Sequence, residues 1–288
     1  MTSERKTKST KRKSEQKVNI KKKKEQKKEV DNVNTKLLNR IIGSNLTKEN
    51  ENRNVELVDL QTLFSQRQDR LWKALEERYQ YNSSVKRGQE FLLNHVNSKV
   101  ELVIMYIDLV GSTKMSMTLP VEQLVTIIRA FTHEISSVVE SYNGYVLKYV
   151  GDAIISFFPC GFNKYLISDK SVQCAKSMIN VIKNGINPIL TKHDYPELSV
   201  KIGIDEGEDV VVQYGYDKSS LIDILGYSMN VAAKITSLTA ANKISVGNVV
   251  YKLLHPTIQS KFELLSIDQG WKYVDRETGE LYKVFTMK

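Results

Sequence analysis

Apolar and polar positions follow regular periods in the middle of the chain. Residues 102–107 form a continuous apolar run with β-branched side chains, which is typical of a strand covered on both faces. Between residues 124 and 142, apolar side chains recur every three or four positions, which predicts an amphipathic helix. Pro120 suits the first turn of that helix, and Gly144 predicts its end. The main domain therefore starts with a buried strand and a long helix.

The remaining apolar patterns complete the predicted domain. They predict strands at 145–150 and 153–158 joined by the turn Gly151-Asp152, a helix at 171–183, a strand at 198–204 with a hairpin partner at 210–213, a helix at 228–239, a short strand at 244–246, a short helix at 249–254, and two or three edge strands between 262 and 285. The order strand, helix, hairpin, helix, strand is typical of the ferredoxin-like, or split βαβ, arrangement. We therefore predict an α+β fold with helices against one face of an antiparallel sheet.

The start of the chain differs from this domain. Residues 1–30 contain almost no apolar side chains and predict a disordered basic tail, and the polar, Asn-rich residues 31–54 predict a linker. Apolar residues return at three- and four-residue steps from 55 to 81, so the segment 55–98 is predicted to be helical. That N-terminal helix either packs on its own domain or forms a short dimer contact. The main domain is predicted to span 99–288.

The positive charge of the chain is concentrated in its tail. The formal net charge of the 288 residues is +9, and residues 1–30 hold 13 Lys and Arg against 4 Glu, which accounts for all of it. A nucleic-acid-binding domain normally has a basic face of its own, so the neutral body argues against that activity as the main one. The tail either only keeps the chain soluble or binds weakly, by electrostatic attraction, to nucleic acid or an anionic membrane.

Composition also narrows the cellular setting. No apolar run approaches the roughly 20 residues of a membrane-spanning helix, and the first residues lack the apolar stretch of a secretory signal. The two cysteines, Cys160 and Cys174, are too few for a disulfide framework or a cysteine metal cluster. A cytoplasmic location is therefore predicted.

Two carboxylates follow strands that are predicted to be neighbours. Asp108 ends the first strand and is followed by the small residues Gly111, Ser112 and Thr113, whose backbone N–H groups suit an anion such as a phosphate. Asp152 lies at the tip of the predicted hairpin. Two carboxylates at adjacent strand ends repel each other unless a divalent cation lies between them, and Mg²⁺ prefers one or two carboxylates together with phosphate and water. Each motif alone also fits an ordinary surface turn.

A third motif begins at Asp223 and continues into a predicted helix. Asn230 and Lys234 are four positions apart, so they share one face of that helix. The small and apolar residues 231–233 between them would let the helix pack closely on its neighbours. Taken one at a time, these residues are equally well explained as a surface amide and a solvated charge.

In this order and at these spacings, the three motifs resemble the catalytic domain of class III adenylate and guanylate cyclases. The resemblance runs from about residue 100 to residue 285. It implies that the ribose 3′-hydroxyl of a nucleoside triphosphate displaces pyrophosphate from the α-phosphate. It also implies that Asp108 and Asp152, with the backbone carbonyl of Leu109, hold two Mg²⁺ or Mn²⁺ ions that stabilise the attacking and leaving oxygens.

The same resemblance implies a head-to-tail homodimer with active sites at the interface. The partner subunit would contribute Asn230, which orients the ribose, and an Arg on the same helix, which steadies the charge on the transferring phosphate. Lys234 stands where that Arg is expected, and it keeps the charge but lacks the planar bidentate fork. Lys272 is the candidate for the lysine that binds the triphosphate from the C-terminal region.

Lys148 and Asp223 match the two positions that select the base in adenylate cyclases of this family. A lysine can only donate a hydrogen bond, and adenine N1 accepts one. An aspartate only accepts, and the exocyclic amine of adenine donates, whereas guanine presents the reverse pattern. The chain is therefore predicted to be an adenylate cyclase that converts ATP to 3′,5′-cyclic AMP and pyrophosphate in intracellular signalling.

Two other functions stay open at this point. One is a cyclase that uses GTP or a pyrimidine triphosphate, against which Lys148 and Asp223 argue. The other is a catalytically silent cyclase-like domain that binds a partner. Lys234 is the support for that second alternative, whereas both predicted metal-binding aspartates are retained.

Overall fold

The structure, a computed structural model, describes residues 84–215, 220–267, 270–276 and 278–288. The predicted tail, the linker and the helical pattern before residue 82 lie outside this range. No helix within the described residues is both long enough and apolar enough to cross a bilayer.

The described residues form eight α-helices and eight strands. The helices are α1 (Ser84–Leu93), α2 (Ser112–Thr118), α3 (Val121–Ser141), α4 (Lys164–Val181), α5 (Asn187–Lys192), α6 (Tyr227–Leu238), α7 (Asn248–Leu253) and α8 (Pro256–Gln259). The strands are β1 (Lys99–Leu109), β2 (Tyr145–Val150), β3 (Ala153–Pro159), β4 (Val200–Tyr214), β5 (Leu221–Leu225), β6 (Lys243–Gly247), β7 (Phe262–Leu264) and β8 (Val284–Met287). A π-helical turn at Ile182–Ile186 joins α4 to α5.

These strands form one mostly antiparallel sheet. Their order is β2-β3-β1-β4-β6-β8-β7, with β5 paired to β4 outside this path. β1 lies within the sheet and pairs antiparallel with both β3 and β4, whereas β4 and β6 run parallel. The predicted α+β fold class with an antiparallel-sheet core is therefore confirmed.

Helices cover both faces of the sheet, so the expectation of helices on one face alone is wrong. Side chains of a strand point alternately to its two faces. Val103 and Ile107 join the core with α3 and α4, whereas Ile104 packs on the other face with α1 and α6. α6 lies directly on the backbone of β4, because a Cβ added to Gly203 would come within 2.3 Å of Thr236 Oγ1. Only a glycine leaves room for that close contact.

Most of the predicted elements are confirmed, with shifted bounds. β1 contains the predicted first strand, β2 and β3 form the predicted hairpin, and α3 and α6 match the two predicted long helices. Pro120 precedes α3 instead of lying in its first turn. α4 begins at Lys164, earlier than the predicted start at 171, because the Asn163 side chain accepts a hydrogen bond from the Leu166 N–H and caps the helix there.

The largest correction concerns β4. The sequence predicts a hairpin made of 198–204 and 210–213, but both segments belong to one strand, and its hairpin partner is β5, which was not predicted. Residues 205–209, four acidic residues around Gly207, have the composition of a turn. They stay in the strand because their backbone continues to pair with β1.

The C-terminal stretch forms edge strands, as predicted. β7 and β8 pair antiparallel, and Val274 and Leu281 add an isolated bridge. The short elements β6 and α7 also match their predictions, each beginning one residue earlier. This part of the chain matters for the site because it carries Lys272.

Candidate active site

Asp108 and Asp152 lie at the same end of neighbouring strands. β1 and β3 pair with Ile107 opposite Ile154, so β1 ends beside the turn that precedes β3. Asp108 follows Ile107, and Asp152 lies in that turn. Both aspartates are partly exposed. The fold therefore brings the two predicted metal-binding carboxylates to one edge of the sheet.

Two glycines shape the turns at this edge. Gly111 (φ 79°) and Gly151 (φ 63°) both have left-handed backbone conformations, which other residues adopt only with strain. Gly111 immediately precedes α2, whose first turn contains Ser112 and Thr113. The predicted phosphate cradle is therefore the turn from β1 into a short helix, whose first N–H groups have no partner within the helix.

One groove runs beside these turns. Its volume is ≈ 490 Å³, and its lining includes Ser112, Thr113, Gly151, Asp152 and Arg129. Arg129 lies on the exposed side of α3, and no motif in the sequence marks it. A guanidinium suits a phosphate group, because its planar fork donates two parallel hydrogen bonds.

Asp108 has a partner that the sequence did not reveal. Lys201 lies directly opposite Asp108 in β4, and its Nζ is 2.9 Å from Asp108 Oδ2. The side chains are 26% and 32% exposed, so the ion pair is only partly shielded from water. The ammonium group offsets the negative charge at the end of β1. Only the register between β1 and β4 identifies this contact, because the two residues are far apart in sequence.

The carboxylates at this edge suit a hard divalent cation. Asp108 and Asp152 supply carboxylate oxygens, and Leu109, the last residue of β1, carries the backbone carbonyl that is the third predicted ligand. Within the part of the chain that the structure describes, no group of three or more His, Cys, Asp or Glu side chains could hold a metal. Two carboxylates fit Mg²⁺ or Mn²⁺, since these ions keep water and substrate phosphates as their other ligands.

Replacing Lys201 with methionine is expected to strengthen Mn²⁺ binding by about fivefold, since a partly exposed ion pair is worth up to about 1 kcal/mol. The metal would then no longer compete with an ammonium group for Asp108. Titration followed by electron paramagnetic resonance of free Mn²⁺ measures this without nucleotide. Lys99→Met is the matched control, because it removes a similar ion pair, with Glu208, at the other end of β1. Equal Mn²⁺ affinities in Lys201→Met and the wild type would show that Lys201 does not compete with the metal for Asp108.

The two predicted base-selecting residues contact each other. Lys148 on β2 donates to Asp223 on β5, with 2.5 Å between Nζ and Oδ2. The other carboxylate oxygen of Asp223 accepts a hydrogen bond of 2.9 Å from the Ile224 N–H. The side chain of Lys148 is 35% exposed and that of Asp223 is 12% exposed. The pair therefore presents one donor and one acceptor side by side.

Tyr106 lies on the same face of the sheet as Lys148, and no pattern in the sequence predicts that it is close to this residue. Lys148, Ile155 and Tyr106 are opposite one another across β2, β3 and β1, so their side chains share one face of the sheet. Burial raises the pKa of Tyr106, and the negative charges of Asp223 and Asp209 raise it further. The phenol is therefore a neutral group close to the predicted base-selecting pair.

Asn230 and Lys234 lie on the exposed side of α6, as their spacing predicts. The Nδ2 of Asn230 donates to the carbonyl of Gly226, 3.2 Å away, at the start of this helix. Val231 and Ile235 are buried on the opposite side. α6 therefore presents both predicted catalytic side chains on the surface of the subunit.

Lys234 and Lys272 line one cavity of ≈ 550 Å³, together with residues that include Leu265, Gly270 and Trp271. The structure thus places the predicted triphosphate lysine beside the helix that carries Lys234. This cavity shares no lining residue with the groove that contains Asp152. The groove with Asp152 and the cavity with Lys234 and Lys272 are therefore separate.

Comparison with known proteins identifies one family. The family described as "Adenylate and Guanylate cyclase catalytic domain" matches residues 95–270, which is more than half of the chain. The match contains all three motifs and ends just before Lys272.

Curated relatives differ in the nucleotide they are named for. A cytidylate cyclase of Staphylococcus aureus is 23% identical over 197 residues, which is 66% of this chain and 46% of that protein. An adenylate cyclase of Anabaena cylindrica is 24% identical over 194 residues, which is 64% of this chain and 36% of that protein. The chain spans less than half the length of both relatives.

A solved structure shares the fold. The adenylyl cyclase CyaB from P. aeruginosa superposes with a TM-score of 0.55 at 21% identity, over 66% of this chain and 95% of that chain. At this level of identity, the likeness concerns the fold alone.

Proposed function

The chain belongs to the adenylate and guanylate cyclase catalytic domain family, and we propose that it converts ATP or CTP to the corresponding 3′,5′-cyclic monophosphate and pyrophosphate. ATP is the first candidate, and CTP is the second. The observation that carries the choice of base is the 2.5 Å contact between Lys148 and Asp223.

One half of the proposed site lies at the end of β1. Two bound Mg²⁺ or Mn²⁺ ions would stabilise the attacking 3′-oxygen and the leaving pyrophosphate. Asp108, Asp152 and the carbonyl of Leu109 hold those ions in this proposal. The backbone N–H groups between Gly111 and Thr113 bind the triphosphate at the start of α2.

The other half lies on α6 and its neighbours. Asn230 orients the ribose so that its 3′-hydroxyl faces the α-phosphate. Lys234 steadies the charge that develops on the transferring phosphate, and Lys272 binds the end of the triphosphate. Lys234 contacts the transferring phosphate as a point charge. We therefore expect it to orient that phosphate less well than an arginine would.

We assign these halves to different subunits of a homodimer. The groove with Asp152 and the cavity with Lys234 have no lining residue in common. A second copy related by a two-fold axis would bring the groove of one chain to α6 of the other, and the symmetry would create two such sites.

The Lys148–Asp223 pair distinguishes bases by their amino group. Adenine presents an acceptor at N1 beside a donor amine, and cytosine presents an acceptor at N3 beside a donor amine. Guanine and uracil present an N–H donor beside a carbonyl acceptor. Because lysine only donates and aspartate only accepts, the pair fits adenine and cytosine and opposes guanine and uracil. Among the pyrimidine triphosphates, the pair therefore argues against UTP but not against CTP.

Tyr106 favours CTP as the second candidate. Its ring lies on the same sheet face as Lys148, and its pKa reflects the nearby charge of Asp223. A large side chain beside the base-selecting pair leaves less room for a two-ring base than for a one-ring base. The similarity to a protein named cytidylate cyclase supports the same candidate.

Lys148→Glu is expected to lower turnover of the preferred nucleotide by about a hundredfold, since a charge-assisted hydrogen bond is lost and a second acceptor faces the acceptor on the base. Initial rates with ATP and CTP, in the presence of Mn²⁺, measure the effect. Lys261→Glu makes the same charge change on an exposed surface and should leave both rates unchanged. If Lys148→Glu keeps the wild-type rate with both nucleotides, the assignment of this pair to base selection fails.

The proposed cellular location of the reaction is supported by the composition of the sequence alone. We propose that it takes place in the cytoplasm, in intracellular signalling. The weak electrostatic binding of residues 1–30 to nucleic acid or an anionic membrane stays a prediction.

A further inference from the structure

A gap in strand pairing opens along one side of β4. β6 pairs with β4 as far as Ile204, and β5 begins to pair at Val210. Between them, the stretch 205–209 has no strand partner on this side among the described residues. A cavity of ≈ 350 Å³ lies there, lined in part by the first residues of α6 and by α7. We call this cavity the β4 notch.

Three carboxylates are buried on the strand at this gap. Asp205, Glu206 and Asp209 are only 1%, 6% and 1% exposed. Burial of a carboxylate is costly unless it is paired or hydrogen-bonded. Burial raises the pKa of all three, that of Asp205 to about 8. Three such groups within five residues of one strand need a compensating interaction.

Two of the three carboxylates have hydrogen-bond donors. The Tyr282 hydroxyl donates to Asp205 at 2.7 Å, and the Ser228 hydroxyl donates to Asp209. Glu206 lines the β4 notch, but its side chain has no hydrogen bond or ion pair with any described residue. The charge of Lys164 lowers the pKa of Glu206 less than burial raises it.

The basic groups around the notch have other partners. The Nζ of Lys164 is 3.9 Å from Glu101, and that of Lys252 is 3.8 Å from Asp275. The guanidinium of Arg276 lies over the ring of Tyr227, 4.4 Å from its centroid. The lining of the notch nevertheless holds five acidic against three basic side chains, namely Glu101, Asp205, Glu206, Glu208 and Asp275 against Lys164, Lys252 and Arg276.

The side chains that line the β4 notch indicate which kind of cation would fit it. Val249, Leu253 and the ring of Tyr227 line the same notch as Glu206 and give it apolar surface. The described residues contain no group of three or more His, Cys, Asp or Glu side chains arranged to hold a metal, here or elsewhere. Carboxylates and apolar surface in one notch suit an organic ammonium, with a charged head and a hydrocarbon body.

We propose that the β4 notch binds an organic primary ammonium whose N–H groups donate to Glu206 and whose hydrocarbon part lies against Val249 and Leu253. This site is separate from the proposed catalytic residues, and it does not depend on which nucleotide the chain converts. Its wall includes the first turn of α6, so an occupant would contact the helix that carries Asn230.

Binding of butylammonium to the full chain at pH 7 tests the proposal, with 1-butanol as the uncharged isostere. Calorimetry should show binding of butylammonium that weakens at least about tenfold in Glu206→Gln, since a charge-assisted hydrogen bond is lost. Glu263→Gln removes a charge from the exposed strand β7 and should bind as the wild type does. Equal binding by Glu206→Gln and the wild type would overturn the proposal, and so would binding of 1-butanol as tight as that of butylammonium.

A second measurement locates the ligand in the wild type and does not need a variant to fold. Nuclear Overhauser contacts between the butyl chain and the methyl groups of Val249 and Leu253 are expected. Contacts with other methyl groups alone would place the ligand elsewhere and refute the assignment.

Discussion

Asp108→Ala and Asp152→Ala are each expected to lower the cyclisation rate by more than about a thousandfold, because ions at this site are expected to supply several kcal/mol of transition-state stabilisation. Each change removes one of the two carboxylates at the end of β1, and a single carboxylate with a backbone carbonyl is a poor site for two divalent ions. Initial rates at saturating Mn²⁺ measure the loss. Direct Mn²⁺ binding should weaken in parallel.

Both variants should stay folded, which separates loss of chemistry from loss of structure. Asp108 is 32% exposed, and its ion pair with Lys201 is of the partly exposed kind that contributes about 1 kcal/mol or less. Glu263→Ala, on an exposed edge strand, is the control for a simple change of charge. Near wild-type activity in either aspartate variant would show that the metal assignment is wrong.

Mixing two inactive variants is expected to restore activity. Asp108→Ala damages the metal half of the proposed site, and Asn230→Ala damages the ribose half. In a homodimer with composite sites, a mixed dimer has one site with both lesions and one site with neither. If chains pair at random, half of the dimers are mixed, and about a quarter of the wild-type activity should return.

A second mixture serves as the matched control. Asp108→Ala with Asp152→Ala places a lesion in the metal half of every chain, so every site in every dimer stays damaged and no activity should return. If the first mixture also recovers nothing although mixed dimers form, the composite site is refuted. Recovery in both mixtures would equally contradict the assignment of the two aspartates to one half.

Local motifs of the site could be predicted from the sequence, because they depend on neighbouring residues. The turn at Gly151-Asp152 follows from an apolar run on each side of it, and the shared face of Asn230 and Lys234 follows from helical spacing. Both predictions need no knowledge of how distant segments pair.

Contacts that depend on strand register could not be predicted. Lys201 meets Asp108, and Tyr106 lies in line with Lys148, only because β4 and β2 pair with their neighbours in one particular register. A shift by one residue would turn each side chain to the other face. A single sequence does not specify that register between distant strands.

The acidic run in β4 misled the sequence reading for a different reason. Asp and Gly are depleted in strands and common in turns, and Glu is also depleted in strands, so the sequence predicts the bend of a hairpin at 205–209. In the structure, backbone pairing with β1 on one side and donors such as Tyr282 and Ser228 on the other accommodate the carboxylates. Tertiary contacts here override local preference.

The most direct test of the proposed function is product analysis of the purified protein with each of the four nucleoside triphosphates and Mn²⁺. Chromatography with mass spectrometry identifies any 3′,5′-cyclic nucleotide, and pyrophosphate release confirms the stoichiometry. We predict cyclic AMP or cyclic CMP as the main product, with little or no product from GTP and UTP. No cyclic product from any of the four, or a preference for GTP or UTP, would contradict the proposal.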